Sequence, residues 1–324
     1  MYTHKVLSAV FTLAVALVPA AAQAQQDFPS KPIKIVVSFS AGGTTDVIAR
    51  QIATRLAIAW KQPVIVENKP GAGGTLGTDY VVSQPTDGYT LLMSSSGPIV
   101  ISPSLGKVLA TDPLTAIVPV ILVADVANIL ITAPSYKAHT VPDLIKEGKA
   151  HPGELNYAST GVGTVAHLSG AAFSERTGFT ATHVPYKGAE AVTDVMAGRV
   201  QFMFATLPSV IGNIKGGKLT AIAQVASTRV KQLPNVPTMK ELGISGMDNG
   251  SWFGLFAAKG TPPAIIEKFN AAINQILREP ETQEAFDKQG ATPVGGSPAD
   301  FGALLKRDYE FWKPVVQSSG AKAN

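Results

Sequence analysis

From Ile33 onward the chain alternates short β-branched runs with stretches of helical periodicity. Residues 33–37 and 64–66 predict strands, and residues 46–60 between them predict a helix. Its apolar stripe runs through Val47, Ile48, Ile52, Leu56 and Ala59, while Arg50, Gln51, Thr54 and Arg55 fall on other faces, so one side packs against a sheet. Further strands are predicted at 89–93, 117–123, 128–131, 155–158, 182–185, 201–204, 219–224 and 252–257. Helices follow at 165–177, 189–197, 208–215, 262–278, 282–289 and 297–314. Such alternation predicts βαβ units and an α/β fold with parallel strands.

No long polar Pro/Gly/Ser tract divides the chain, so two lobes would be joined by strands crossing between them, near 123–128 and near 243–249. Residues 125–245 then form one lobe, and residues 25–124 with 246–324 form the other. A hinge and an interlobe cleft follow from that arrangement. The first 24 residues stand apart. His4 and Lys5 precede an apolar run from Val6 to Val18, and Ala22, Gln23 and Ala24 close it, the pattern of a secretory signal peptide cut after Ala24. The run is well short of the roughly 20 apolar residues that span a bilayer.

Composition narrows the chemistry. Among 324 residues there is no Cys, which excludes thiol nucleophiles, disulfides and cysteine metal sites. The net charge of +4 favours small anionic ligands, yet no basic cluster or aromatic-basic stripe of the nucleic-acid type is present. At roughly 150 residues per domain the length agrees with two lobes.

The loop from Ser38 to Asp46 joins the first strand to the first helix through Phe39, Ala41, Gly42, Gly43 and Thr44. Glycines let a backbone approach a ligand, and a helix start offers unpaired N–H groups at the positive end of its dipole. A carboxylate or phosphate can be held there without a charged side chain; a plain capped turn uses the same residue types. A second loop has the same construction: Thr160, Gly161, Val162, Gly163 and Thr164 lead into a helix carrying His167. Two such loops, one per lobe, could grip an anion from both sides. Ser95 and Gly97 after the 89–93 strand, and Ala205 and Thr206 after 201–204, lie where loops at the carboxyl ends of parallel strands meet ligands.

Enzyme motifs fail when read literally. Residues 161–166 match the loose dinucleotide pattern, but the following strand, ending at Tyr186, has no acid for a ribose hydroxyl. There is no Walker lysine loop, no G-x-S-x-G and no H-E-x-x-H, and His139, His151, His167 and His183 lack metal-type spacing. No cofactor and no metal are expected.

Many ordered motifs carry a resemblance to a known family. They are residues 28–33, Phe39 to Gly43 with Asp46, 66–74, 87–92, 157–164 with His167 and Leu168, 183–188, 217–219, 233–238 and 252–256. The chain resembles the tripartite tricarboxylate transporter receptors, the Bug-type extracytoplasmic solute-binding proteins. That resemblance implies a periplasmic type 2 binding fold closing on a small carboxylate. It also implies ligand contacts from Ala41, Gly42, Gly43, Thr44 and Asp46 and from Thr160 to Thr164. Phe39, Tyr186 or Trp252 would supply the wall. Ser38 and Lys259 stand where the family usually has Pro, and Ala171 where it has Glu. None of these changes abolishes the two loops.

The expected protein is a non-catalytic monomeric receptor that hands a di-, tri-, aromatic or amino-acid carboxylate to integral-membrane transporter subunits. A ligand-dependent partner of a membrane sensor kinase shares the same fold and binding. A secreted hydrolase or dehydrogenase using the same cleft is the reading from a different class, and it needs a nucleophile–base pair that the sequence does not display.

Overall fold

The computed structural model describes residues 28–105, 110–248 and 250–318. The segment read as a signal peptide lies outside the described residues. Elements run in the order β1 (Ile33–Val37), α1 (Thr44–Trp60), β2 (Val64–Asn68), α2 (Thr75–Val82), β3 (Thr90–Ser95), α3 (Pro113–Ala116) and β4 (Ile117–Val126). Then come β5 (Asn128–Thr132), α4 (Val141–Ala150), β6 (Leu155–Ser159), α5 (Val165–Thr177), β7 (Ala181–Pro185), α6 (Glu190–Met196), β8 (Phe202–Thr206), α7 (Leu207–Lys215) and β9 (Thr220–Val225). The chain closes with β10 (Ser251–Ala258), α8 (Pro263–Arg278), α9 (Pro280–Gln289), β11 (Ala291–Pro293) and α10 (Pro298–Ser318).

Two sheets organise these elements: a six-stranded one in the order β11-β4-β10-β3-β1-β2 and a five-stranded one in the order β7-β6-β8-β5-β9. The βαβ units give parallel pairs, β1 with β2 and β3, and β6 with β7 and β8. β10 runs antiparallel to β3 and β4, and β5 antiparallel to β8 and β9, so both sheets are mixed rather than purely parallel. The difference arises where the chain passes between sheets: β4 belongs to the first sheet, β5 to the second, and only Ala127 separates them. The return passage enters β10 at Ser251. Two α/β lobes joined in this way are the fold expected from the sequence.

Burial explains the strand patterns. Ile33, Ile35, Val36 and Val37 of β1 are all buried, since helices cover both faces of the sheet, and every residue of β10 is buried. In α1 the inward stripe is Ile48, Ile52 and Leu56 with Ala49 and Ala53; Ala59, expected on that stripe, is exposed. α10 continues through Pro314, where the sequence pattern stops. A hydrophobic cluster ties the lobes together, with Val165 and Leu168 of α5 in the same buried group as Trp312 and Val316 of α10.

Candidate functional site

Between the lobes lies a narrow cleft lined by residues of both. Of the residues singled out in the sequence, Phe39, Gly43, Thr44, Ser95, Thr160, Thr164 and Thr206 line it. No Asp, Glu, Lys, Arg or His stands among the lining residues.

α1 begins at this wall. Its N-cap is Gly43 and no side chain caps it, so helix geometry leaves the N–H groups of its first turn without intrahelical partners. Thr44 and Thr45 of that turn line the cleft. Asp46 does not face the ligand space. Its carboxylate accepts from Gly42 N at 3.0 Å, from Asn68 Nδ2 at 3.0 Å and from Arg50 Nε at 3.0 Å, tying the loop to α1 and β2. Burial pushes its carboxyl upward, but Arg50, Gly42 N–H and Asn68 outweigh that and hold it below the usual carboxylate range. Ala41 and Gly42 are exposed and lie off the cleft wall.

α5 begins at the opposite wall, with Thr164 as N-cap accepting from His167 N and donating to Gly161 O at 2.8 Å. Val165 and Ala166 line the cleft beside it. Gly161, Val162 and Gly163 meet the other lobe instead of the cavity. A Cβ on Gly161 would lie 2.9 Å from Gly73 Cα, and one on Gly163 2.5 Å from Ser102 Oγ. Gly97 likewise packs against Thr164, 3.1 Å from its Cα by the same measure.

His167 sits behind the loop, buried, and its Nδ1 accepts from Gly163 N at 3.3 Å. Its ring stacks on His183 with centroids 3.9 Å apart, and His183 stacks on Tyr157 at 5.0 Å. Burial lowers the pKa of His167 to about 4; burial and the neighbouring imidazole lower that of His183 to about 3. Both rings are therefore neutral at physiological pH, as the acceptor role of His167 Nδ1 requires. Ser159 Oγ lies 2.6 Å from His183 Nε2, a spacing that suits a nucleophile and base. Ser159 is fully buried and also bonds Gly161 N and O, so the pair braces the glycine loop from behind.

Three other anticipated residues point elsewhere. Tyr186 donates its hydroxyl to Asp194 Oδ2 at 2.7 Å, which holds the ring on its own lobe and off the cleft wall. Ala205 pairs with Ile129 inside the sheet and is buried there. Trp252 is also absent from the wall, its Nε1 donating to Asp308 Oδ2 at 2.6 Å on the far side of β10.

The residues missed by sequence reasoning are Ser40, Thr45, Asn128, Val165, Ala166, Gly188, Ala189, Val192, Met203, Phe204, Ser209, Ser251 and Phe253. Ser40, Thr45, Val165 and Ala166 flank anticipated positions and were reachable by widening the loops. Val192, Met203, Phe204 and Phe253 carry only a core-like apolar signal. Asn128 and Ser251, at the starts of the two crossing strands, bond each other through Asn128 Nδ2 and Ser251 Oγ at 3.1 Å. The lobes are closed on the cleft: Thr44 Oγ1 lies 2.7 Å from Thr206 Oγ1, and Ala189 N donates to Ser40 Oγ at 3.2 Å.

Two lobes, two crossing strands and an uncharged cleft roofed by opposed helix starts define a type 2 periplasmic binding protein fold. The tripartite tricarboxylate transporter family receptor matches residues 48–321, and the chain belongs to that family. It is 40% identical to Protein BugT of Bordetella pertussis (strain Tohama I) over 98% of each chain. Among solved structures it is similar to an R. palustris protein with adipate, at 32% identity and a TM-score of 0.89, covering 91% of this chain and 99% of that one. It is similar too to MatC from Rhodopseudomonas palustris with bound malate, at 30% identity and a TM-score of 0.85, covering 89% and 100%.

Proposed function

We propose that this periplasmic receptor captures a small carboxylate in its interlobe cleft and delivers it to the membrane subunits of a tripartite tricarboxylate-type transporter. The observation that carries the reading is the pair of helix starts, α1 and α5, that open from different lobes onto one cavity without a charged side chain. A carboxylate there trades water for backbone N–H groups and for the hydroxyls of Thr45, Ser95 and Thr160. Each charge-assisted bond contributes about 1.5–3 kcal/mol, so three or four support micromolar binding after the entropy of association. Adipate and malate in two solved relatives support the ligand class.

In this reading residues 125–245 form one lobe, residues 25–124 and 246–324 the other, and the chain works as a monomer whose closed form docks on the membrane partner. A sensor kinase reading the same closed form is distinguished by co-purification from membranes. The test of binding is thermal unfolding of unfolded and refolded protein against mono-, di-, tri- and aromatic carboxylates, with sugars as controls. A ligand at 100 times its dissociation constant adds about 2.7 kcal/mol, a shift of several degrees. A panel with no shift by any carboxylate overturns the proposal.

A further inference from the structure

A hydrogen-bond inventory of the cleft separates donors still open to a ligand from donors already spent. Four helix starts reach the cavity. At α7, Leu207 N donates to Ala127 O at 3.0 Å and Pro208 has no N–H to offer, which leaves Ser209 N as the first donor of that turn. At α6, Ala189 N donates to Ser40 Oγ, Ala191 N to Gly188 O and Val192 N to Ala189 O, and Glu190, whose N–H has no such acceptor, is not part of the wall. The first-turn groups of α1 and α5 remain open, apart from the His167 N–H taken by Thr164 Oγ1.

Side chains divide in the same way. Thr44, Thr206 and Ser209 form one chain of hydroxyls, with Ser209 Oγ donating to Thr206 O at 2.7 Å. Asn128 and Ser251 serve each other, and Thr164 serves Gly161 O. Thr45, Ser95 and Thr160 have hydroxyls without a protein partner, and all three belong to the loops and strand end around α1 and α5. The rest of the wall includes Val192, Met203, Phe204 and Phe253.

Resting on the receptor reading above, we infer that the cleft is built for a monocarboxylate with a neutral, apolar body. A single carboxylate uses the open donors of α1 and α5. A second one, buried against apolar side chains and donors that are for the most part spent, loses more of its water than the wall replaces. An α-ammonium meets no acidic side chain in the cleft and is penalised in the same way. This ligand class differs from the dicarboxylates found in the two solved relatives.

The test is titration calorimetry on the unfolded and refolded chain with three matched sets: butanoate, succinate and α-aminobutyrate; hexanoate, adipate and norleucine; phenylpropionate, phenylsuccinate and phenylalanine. The monocarboxylate of the best skeleton should bind at least tenfold tighter than both its dicarboxylate and its amino-acid counterparts. A dicarboxylate or amino acid that equals or exceeds its matched monocarboxylate overturns this inference and leaves the receptor reading standing. If no compound in any set binds below millimolar concentration, the receptor reading fails and this inference fails with it.

Discussion

Gly73 sits where the two lobes meet, in the short 3-10 turn Ala72–Gly74 between β2 and α2. Its φ is +67°, and a Cβ there would lie 2.2 Å from the carbonyl oxygen of Val162 on the opposite lobe. For Gly73→Ala the lobes must part by roughly 1 Å at this point before the contact becomes tolerable. Such parting breaks the closed-state bonds Thr44–Thr206 and Ser40–Ala189. At about 0.5–1.5 kcal/mol each, their loss amounts to about 1–3 kcal/mol of closure free energy, or roughly five- to 150-fold in affinity. Left-handed backbone also strains an alanine by about 1–2 kcal/mol in the open and closed forms alike. Gly217→Ala isolates that contribution, since Gly217 has φ +68° and nothing within 4 Å of its Cβ position. Calorimetry with the best carboxylate, paired with urea unfolding, should show both variants similarly destabilised but only Gly73→Ala weakened in binding. Affinity of Gly73→Ala within twofold of the parent would refute the closed-lobe geometry argued here.

Three further outcomes are expected. Because both buried imidazoles have pKa values depressed from 6.5, to about 4 for His167 and about 3 for His183, the unfolded chain binds more protons than the folded one over that interval. Stability is therefore complete above pH 6.5 and falls as pH drops toward 4, by on the order of 3 kcal/mol for His167 alone; imidazole NMR resonances titrating with ordinary midpoints would count against the stacked pair. Asp46→Ala should lower stability by about 1–3 kcal/mol and weaken ligand binding, because the Gly42 N–H and the Asn68 amide lose their acceptor at the start of α1; an unchanged melting temperature would show that the loop holds itself. Trp252→Phe keeps a ring in the core but removes the bond to Asp308, so it should destabilise the fold slightly and leave affinity unchanged; loss of binding would place Trp252 at the ligand after all.

Periodicity made most of the fold legible. β1, α1 and β10 announce themselves because their burial is set by long, regular apolar patterns, and a wrong residue there would be felt in the core. β11 was not visible, since its three residues, Ala291 to Pro293, carry no period and pair with β4 only once the chain has returned to the first sheet. α2 and α4 were not visible either. α2 follows directly on the glycines of the Ala72–Gly74 turn, which obscure its start, and α4 buries only Val141, Leu144 and Gly148.

At the site, the two glycine and hydroxyl loops could be found because each is a local device: a strand end, a permissive backbone and a helix start within a few residues. The roles inside them were less legible. Asp46 and His167 look like ligand groups in sequence, yet both turn back to brace their own loops. Tyr186 is drawn off by Asp194 eight positions away on its own lobe.

Local chemistry along the chain was thus enough to establish an α/β two-lobed receptor and to single out the two glycine and hydroxyl loops that open α1 and α5. Membership of the cleft wall depends instead on contacts between distant residues. Thr44 meets Thr206 across 162 positions and Asn128 meets Ser251 across 123. Val192, Met203, Phe204 and Phe253 have the same apolar signature as any core residue, and they face a ligand space only because the crossing strands bring the second lobe over the first. Pattern and propensity act over a few residues, whereas the enclosure of a cavity is a property of how two lobes close.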